Sequence, residues 1–88
     1  MDKPRSKFEP ITSEQKKEEK QKFKDHIAKI IREARLKTGY KQEDLAVFAG
    51  LDLSYVSHLE RGVYIPTSYV LWKIVKVLKI SPKELFDF

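Results

Sequence analysis

The side chains best equipped for chemistry lie between Lys41 and Tyr64. Ser54, Ser57 and His58 are the residue types of a nucleophile and its base, and Asp52 and Glu60 put two carboxylates in the same stretch. Catalysis also needs a site that holds substrate, and the sequence has no Gly-rich phosphate loop or pocket signature. His58 has no base or nucleophile partner beyond the two nearby serines. Metal chemistry fares no better: there is no cysteine, and His26 and His58 stand 32 positions apart with no carboxylate cluster at ligand spacing. Neither a cofactor nor a metal is expected. What remains for these side chains is hydrogen bonding to a partner.

The chain as a whole sets the same limits. Eighty-eight residues make one small domain, which buries about 60% of its unfolded surface and has little left for a deep cleft. The net charge of +5 suits a polyanionic partner. No apolar run approaches the roughly 18 residues of a membrane span, and the N-terminus has no apolar signal region. These features predict a cytoplasmic, soluble, all-α binding module.

Residues 1–25 form a charged N-terminal arm, with eight basic and six acidic residues and few large apolar ones. Pro4 and Pro10 oppose a helix before residue 11, while Thr12 and Gln15 suit a capping box, so the arm is expected to be partly helical from about 13. Its net charge is only +2; it could track phosphate or the minor groove, but the alternating signs favour a solvated tail.

Residues 26–88 are the folded domain, punctuated by Gly39, Gly50, Gly62, Pro66 and Pro82. Phe23, Ile27, Ile30, Ile31 and Ala34 make one apolar helical face, ending at Lys37-Thr38-Gly39. A second helix is expected from Gln42 to Ala49. A third follows Asp52, a suitable N-cap, with Val56 and Leu59 turned inward. Val70, Leu71, Ile74, Val75 and Leu78 mark a fourth. Ser81, Pro82 and Glu84 read as the capped start of a fifth, whose Leu85, Phe86 and Phe88 would fold back on the core.

The second and third helices are separated only by Gly50, Leu51 and Asp52, the spacing of a helix-turn-helix. The second helix of such a unit can lie in the major groove of DNA. Ser54, Tyr55, Ser57 and His58 lie off the inward stripe of the third helix. Serine hydrogen-bonds to several bases, His58 can donate to or accept from a purine edge, and Leu53 suits a thymine methyl or serves as a hydrophobic staple.

Gln42-Glu43-Asp44-Leu45-Ala46, Ala49-Gly50-Leu51, Ser54-Tyr55-Val56-Ser57, Leu59-Glu60-Arg61-Gly62 and Pro66 together resemble the lambda-repressor-like, Xre-type helix-turn-helix family over residues 26–86. The short chain and its Asp-x-Ser-Tyr-Val-Ser stretch also resemble controller proteins of restriction–modification systems. The resemblance implies a compact five-helix bundle. It implies that Gln42 contacts phosphate and braces the recognition helix, that Leu53, Ser54, Ser57 and His58 face the groove, that Tyr55 touches the sugar–phosphate backbone, and that Arg35 and Glu60 form a structural ion pair. Lys41, Arg61, Tyr64 and Lys37 are flanking phosphate candidates. Ile65, Ser68, Tyr69, Trp72, Phe86 and Phe88 are candidates for a dimer surface, although Ser68 stands where the family usually has a larger apolar residue.

The expected function is therefore sequence-specific recognition of double-stranded DNA by a transcription regulator, a repressor or activator by occupancy. It would act as a homodimer on an inverted repeat and not as an enzyme. The alternative is a protein-interaction module of the same fold, which binds a toxin or another regulator through Trp72, Phe86 and Phe88.

Overall fold

The computed structural model describes residues 9–87, which form five helices: α1 (Ser13–Thr38), α2 (Gln42–Ala49), α3 (Leu53–Glu60), α4 (Ser68–Leu78) and α5 (Pro82–Phe86). There is no strand among the described residues. Most of residues 1–11 and Phe88 lie outside the description or at its edge, so the arm's first eight residues and the Phe88 dimer candidate are not placed.

α1 opens with a reciprocal cap. The Gln15 backbone N–H donates to the Thr12 hydroxyl at 3.0 Å, and the Thr12 N–H donates to the Gln15 side-chain oxygen at 2.8 Å. The helix then runs unbroken past residue 25, so the division between arm and domain falls within it. Residues 13–22 are all exposed, and burial begins around Phe23. Good helix formers and the cap sustain these turns with little packing.

The α2–α3 turn is closed by backbone geometry. Gly50 adopts φ 65°, its N–H donates to Val47 O at 3.2 Å, and the Leu51 N–H reaches Ala46 O at 2.8 Å. This pair of bonds satisfies the last carbonyls of α2 in a left-handed cap that glycine enters without steric penalty. α3 ends in the same way. Gly62 at φ 75° bonds Leu59 O, and the Val63 N–H bonds His58 O. A Cβ at Gly62 would lie 2.9 Å from Asp25 Oδ1, so α1 passes directly over this turn.

Ile27 and Ile31 from α1, Leu45, Ala46 and Ala49 from α2, Val56 and Leu59 from α3, and Leu71, Ile74 and Leu78 from α4 meet in one core, closed by Ile80 and Leu85. The small Ala46 and Ala49 let the neighbouring helices approach.

Two sequence expectations are corrected. Asp52 and Ser81 occupy N-cap positions with extended backbone, but neither side chain makes a capping hydrogen bond, so the box with Glu84 does not form. In α5 the Glu84 N–H instead bonds the Ser81 carbonyl at 2.9 Å. Phe86 does not fold back: a helix of five residues turns only Leu85 inward and leaves Phe86 60% exposed.

Candidate nucleic-acid interface

α3 is divided lengthwise. Val56, Leu59 and the side chain of Glu60 are buried, while Leu53 and Ser54 are exposed and Ser57 and His58 half-buried on the other face. Leu53 is 47% exposed, which fits an outward-facing group better than a packed staple. A shallow depression lined by Arg35, Lys41, Gln42, Glu43, Leu53, Ser54 and Ser57 joins the start of α2 to this face.

A charged junction fixes the two helices relative to each other. Arg35 Nε donates to Glu60 Oε2 at 2.6 Å and Nη2 to Oε1 at 2.9 Å, a two-pronged pair whose partners are 11% and 2% exposed. The remaining Arg35 nitrogen, Nη1, donates to Tyr40 O at 2.9 Å. Gln42 Nε2 donates to Glu60 Oε1 at 3.1 Å, and Arg32 Nη1 donates to the Glu60 backbone carbonyl at 3.0 Å. One carboxylate thus joins α1, the first residue of α2 and the last residue of α3. The hydrogen bonds to Glu60 raise the Arg35 pKa, against the opposing effect of burial.

The start of α2 is polar but not simply cationic. Lys41 is exposed, and its backbone N–H is taken by Asp44 Oδ2 at 2.8 Å. Glu43 and Asp44 stand in the first turn and oppose the positive helix end. An anion arriving here would meet the Lys41 ammonium and the free edge of the Gln42 amide.

The outer face of α3 carries an ordered set of rings. Tyr64 stacks on Tyr55 at 5.4 Å between centroids and lies 5.3 Å from the His58 ring. Burial, and then the neighbouring Tyr64, push the Tyr55 pKa up, so its hydroxyl stays a neutral donor and acceptor. His58 Nδ1 lies 2.6 Å from the Ser54 carbonyl oxygen. A carbonyl oxygen can only accept, so Nδ1 carries the proton and, in the neutral ring, Nε2 is left as an acceptor. Arg61 is exposed just past the helix.

The structure therefore brings Lys41, Gln42, Leu53, Ser54, Ser57 and His58 to one side, with Tyr55, Tyr64 and Arg61 beside them. The dimer candidates lie elsewhere, on α4, α5 and the segment before α4. Ile65, Ser68, Tyr69 and Trp72 are exposed, as is Phe86. Ser68, Trp72 and Phe86 border an apolar depression floored by Leu71, Val75 and Leu85. Tyr69 and Trp72 stack at 6.1 Å, each under a lysine, Lys73 and Lys76 respectively. Arg32 was not found from sequence because its partner is a backbone carbonyl; its only signal was its position one turn before Arg35.

Among the described residues no group of three or more His, Asp or Glu side chains is arranged to hold a metal ion. No described helix is long and apolar enough to cross a membrane.

The Helix-turn-helix family (HTH_3) matches residues 31–85. The HTH-type transcriptional regulator SlrR of Bacillus subtilis (strain 168) is 42% identical over 62 residues, which cover 69% of this chain and 41% of SlrR. The chain thus corresponds to about two fifths of SlrR's length. Control protein C.BamHI of Bacillus amyloliquefaciens is 39% identical over 59 residues, covering 66% of this chain and 73% of that protein. Among solved structures, a mutant of the Restriction-Modification Controller Protein C.Esp1396I superposes with a TM-score of 0.66 at 34% identity, covering 74% of this chain and 87% of that one.

Proposed function

From the premise that this chain belongs to the Helix-turn-helix family and is a DNA-binding transcription regulator, we propose that it acts in the cytoplasm as a homodimer on an inverted-repeat operator. The observation that carries this reading is the Arg35–Glu60–Gln42 junction, which holds the start of α2 and the exposed face of α3 in one rigid frame. A frame of that kind can set phosphate contacts and base contacts in register.

In this reading Gln42, Lys41, Arg61 and the hydroxyls of Tyr55 and Tyr64 hold the sugar–phosphate backbone. Leu53, Ser54, Ser57 and His58 meet the base edges, Leu53 against a thymine methyl. His58 offers its Nε2 lone pair, so it takes a base N–H: the N6 amino group of adenine or the N4 amino group of cytosine. None of the four is a bidentate Arg, Gln or Asn, so DNA shape and deformability supply part of the specificity. The apolar α4–α5 surface pairs across a two-fold axis and sets two α3 helices about 34 Å apart, one helical turn of DNA. Occupancy of the site is the regulatory event. The relatives are regulators, and no catalytic role is assigned to any residue.

Selection from a random duplex pool at ~150 mM salt, where long-range phosphate attraction is screened, tests the reading. Enrichment of an inverted repeat supports it. Tight binding without enrichment would refute base readout. Absence of binding would favour the second reading, in which exposed Tyr69, Trp72 and Phe86 dock a toxin or another regulator.

A further inference from the structure

The charges of the N-terminal segment alternate in sequence, but the helix sorts them. At 100° per residue, Lys16, Lys17, Lys20 and Lys24 fall in one sector of about 100°. That sector also contains Ile27 and Ile31, which face the bundle. Glu14, Glu18, Glu19 and Asp25 fall outside it, together with Lys22 and Lys29. Among the described residues none of the four lysines is within ion-pair distance of a carboxylate. The stripe is thus a row of uncompensated cations on the side of α1 that looks toward the domain, where the helix has outrun the core.

Its position is fixed by a close approach. At Lys24 and Asp25, α1 passes over Gly62, whose neighbours Arg61 and Tyr64 border the outer face of α3. From there the helix continues back to Ser13, about 16 Å further. Successive phosphates of one DNA strand are several ångströms apart, so a row of this length spans two or three of them.

We infer that the lysine stripe of α1 is a second DNA-binding element, which grips the phosphate backbone of the duplex flanking the site that α3 reads. This rests on the DNA-binding reading above. The partner is a polyanion, because the stripe lacks both the apolar and the acidic groups that a mixed protein surface would need. It is DNA because Lys24, at the C-terminal end of the stripe, stands where α1 crosses the Gly62 turn, and that turn leads into Arg61 and Tyr64 of the proposed interface. It reads charge and not sequence.

The test uses the full chain and the duplex enriched in the selection, with or without ten further base pairs on each side. Lys16→Glu with Lys20→Glu is compared with a charge-matched control on the opposite face, Lys22→Glu with Lys29→Glu. On the flanked duplex the stripe pair should lower the slope of log affinity against log salt by about 2, which is about a tenfold difference in the affinity lost between 50 and 200 mM salt. The control should leave the slope nearly unchanged, and neither pair should alter binding to the unflanked duplex. Lys16→Gln with Lys20→Gln, which retains helix propensity, should lower the slope in the same way. Equal slopes for stripe and control variants would overturn the inference and leave the stripe to an acidic protein surface. A loss of equal size on flanked and unflanked duplexes would also overturn it, because the effect would then act through the domain. If the unaltered chain binds neither duplex, the DNA-binding reading fails first and the inference with it.

Discussion

Replacing Glu60 by Gln tests the junction at its centre. The substitution keeps shape and volume but removes the charge that faces Arg35. The guanidinium is 11% exposed and the carboxylate 2%, so water does little to screen either. Breaking one side of a buried pair destabilises by roughly 3–5 kcal/mol, because a lone charge remains out of water. The residual exposure of Arg35 and the acceptor oxygen that Gln retains place this case near the lower end, at about 3 kcal/mol. In a domain of this size 1 kcal/mol moves the midpoint by about 4–8 °C, so the expected fall is on the order of 12–24 °C. Urea unfolding followed by circular dichroism gives the free energy directly, with an unchanged slope showing that the same surface is exposed. The paired substitution Arg35→Met with Glu60→Leu should recover most of the loss, since neither charge is then stranded. A loss below about 1 kcal/mol for Glu60→Gln would refute the argument, for that is the range of a solvated surface pair.

Three further outcomes follow from local geometry. Lys79 closes α4 at φ 56°, a left-handed conformation that side chains disfavour, so Lys79→Gly should stabilise the domain by about 1 kcal/mol in the same urea assay. The raised Tyr55 pKa means that the unfolded chain ionises this tyrosine first. Its contribution is intact below the ordinary value of about 10 and is lost as pH rises through the folded value. Stability of the wild type should therefore fall more steeply above pH ~10 than that of Tyr55→Phe; parallel curves would remove Tyr55 as a cause. Finally, His58→Ala should relax the selected base profile at one position per half-site, where the wild type takes an adenine or cytosine amino group. An unaltered profile would remove His58 from direct readout.

The parts of the fold that were legible in the sequence are those written in local chemistry. Gly50 and Gly62 punctuate because backbone geometry there requires a left-handed residue, and the bounds of α2 and α3 follow. Val56 and Leu59, or Ile27 and Ile31, announce their inward face by spacing alone. Caps were less transparent. Asp52 and Ser81 are the right residue types at the right positions, yet neither side chain makes the capping bond, because the type permits a cap without enforcing it. Phe86 was misplaced because hydrophobicity does not reveal how few residues of a one-turn helix can face a core. Of the candidate site, the Arg35–Glu60 pairing came from family resemblance, since no local rule joins residues 25 apart. The bond from Gln42 to Glu60, the cap by Arg32 and the His58 tautomer needed the tertiary arrangement.

The shared carboxylate also bears on how the domain responds to heat. The hydration of charged groups becomes less favourable as temperature rises, so the penalty for holding Arg35 and Glu60 out of water shrinks on warming. The apolar contribution of the small core around them levels off over the same range. Because Glu60 is bonded to α1 and α2 from the last residue of α3, the part that gains relative strength on heating is the corner where three helices meet. Thermal loosening should accordingly begin at the periphery, in the exposed early turns of α1 and in α5. The α2–α3 unit should keep its shape until the cooperative transition.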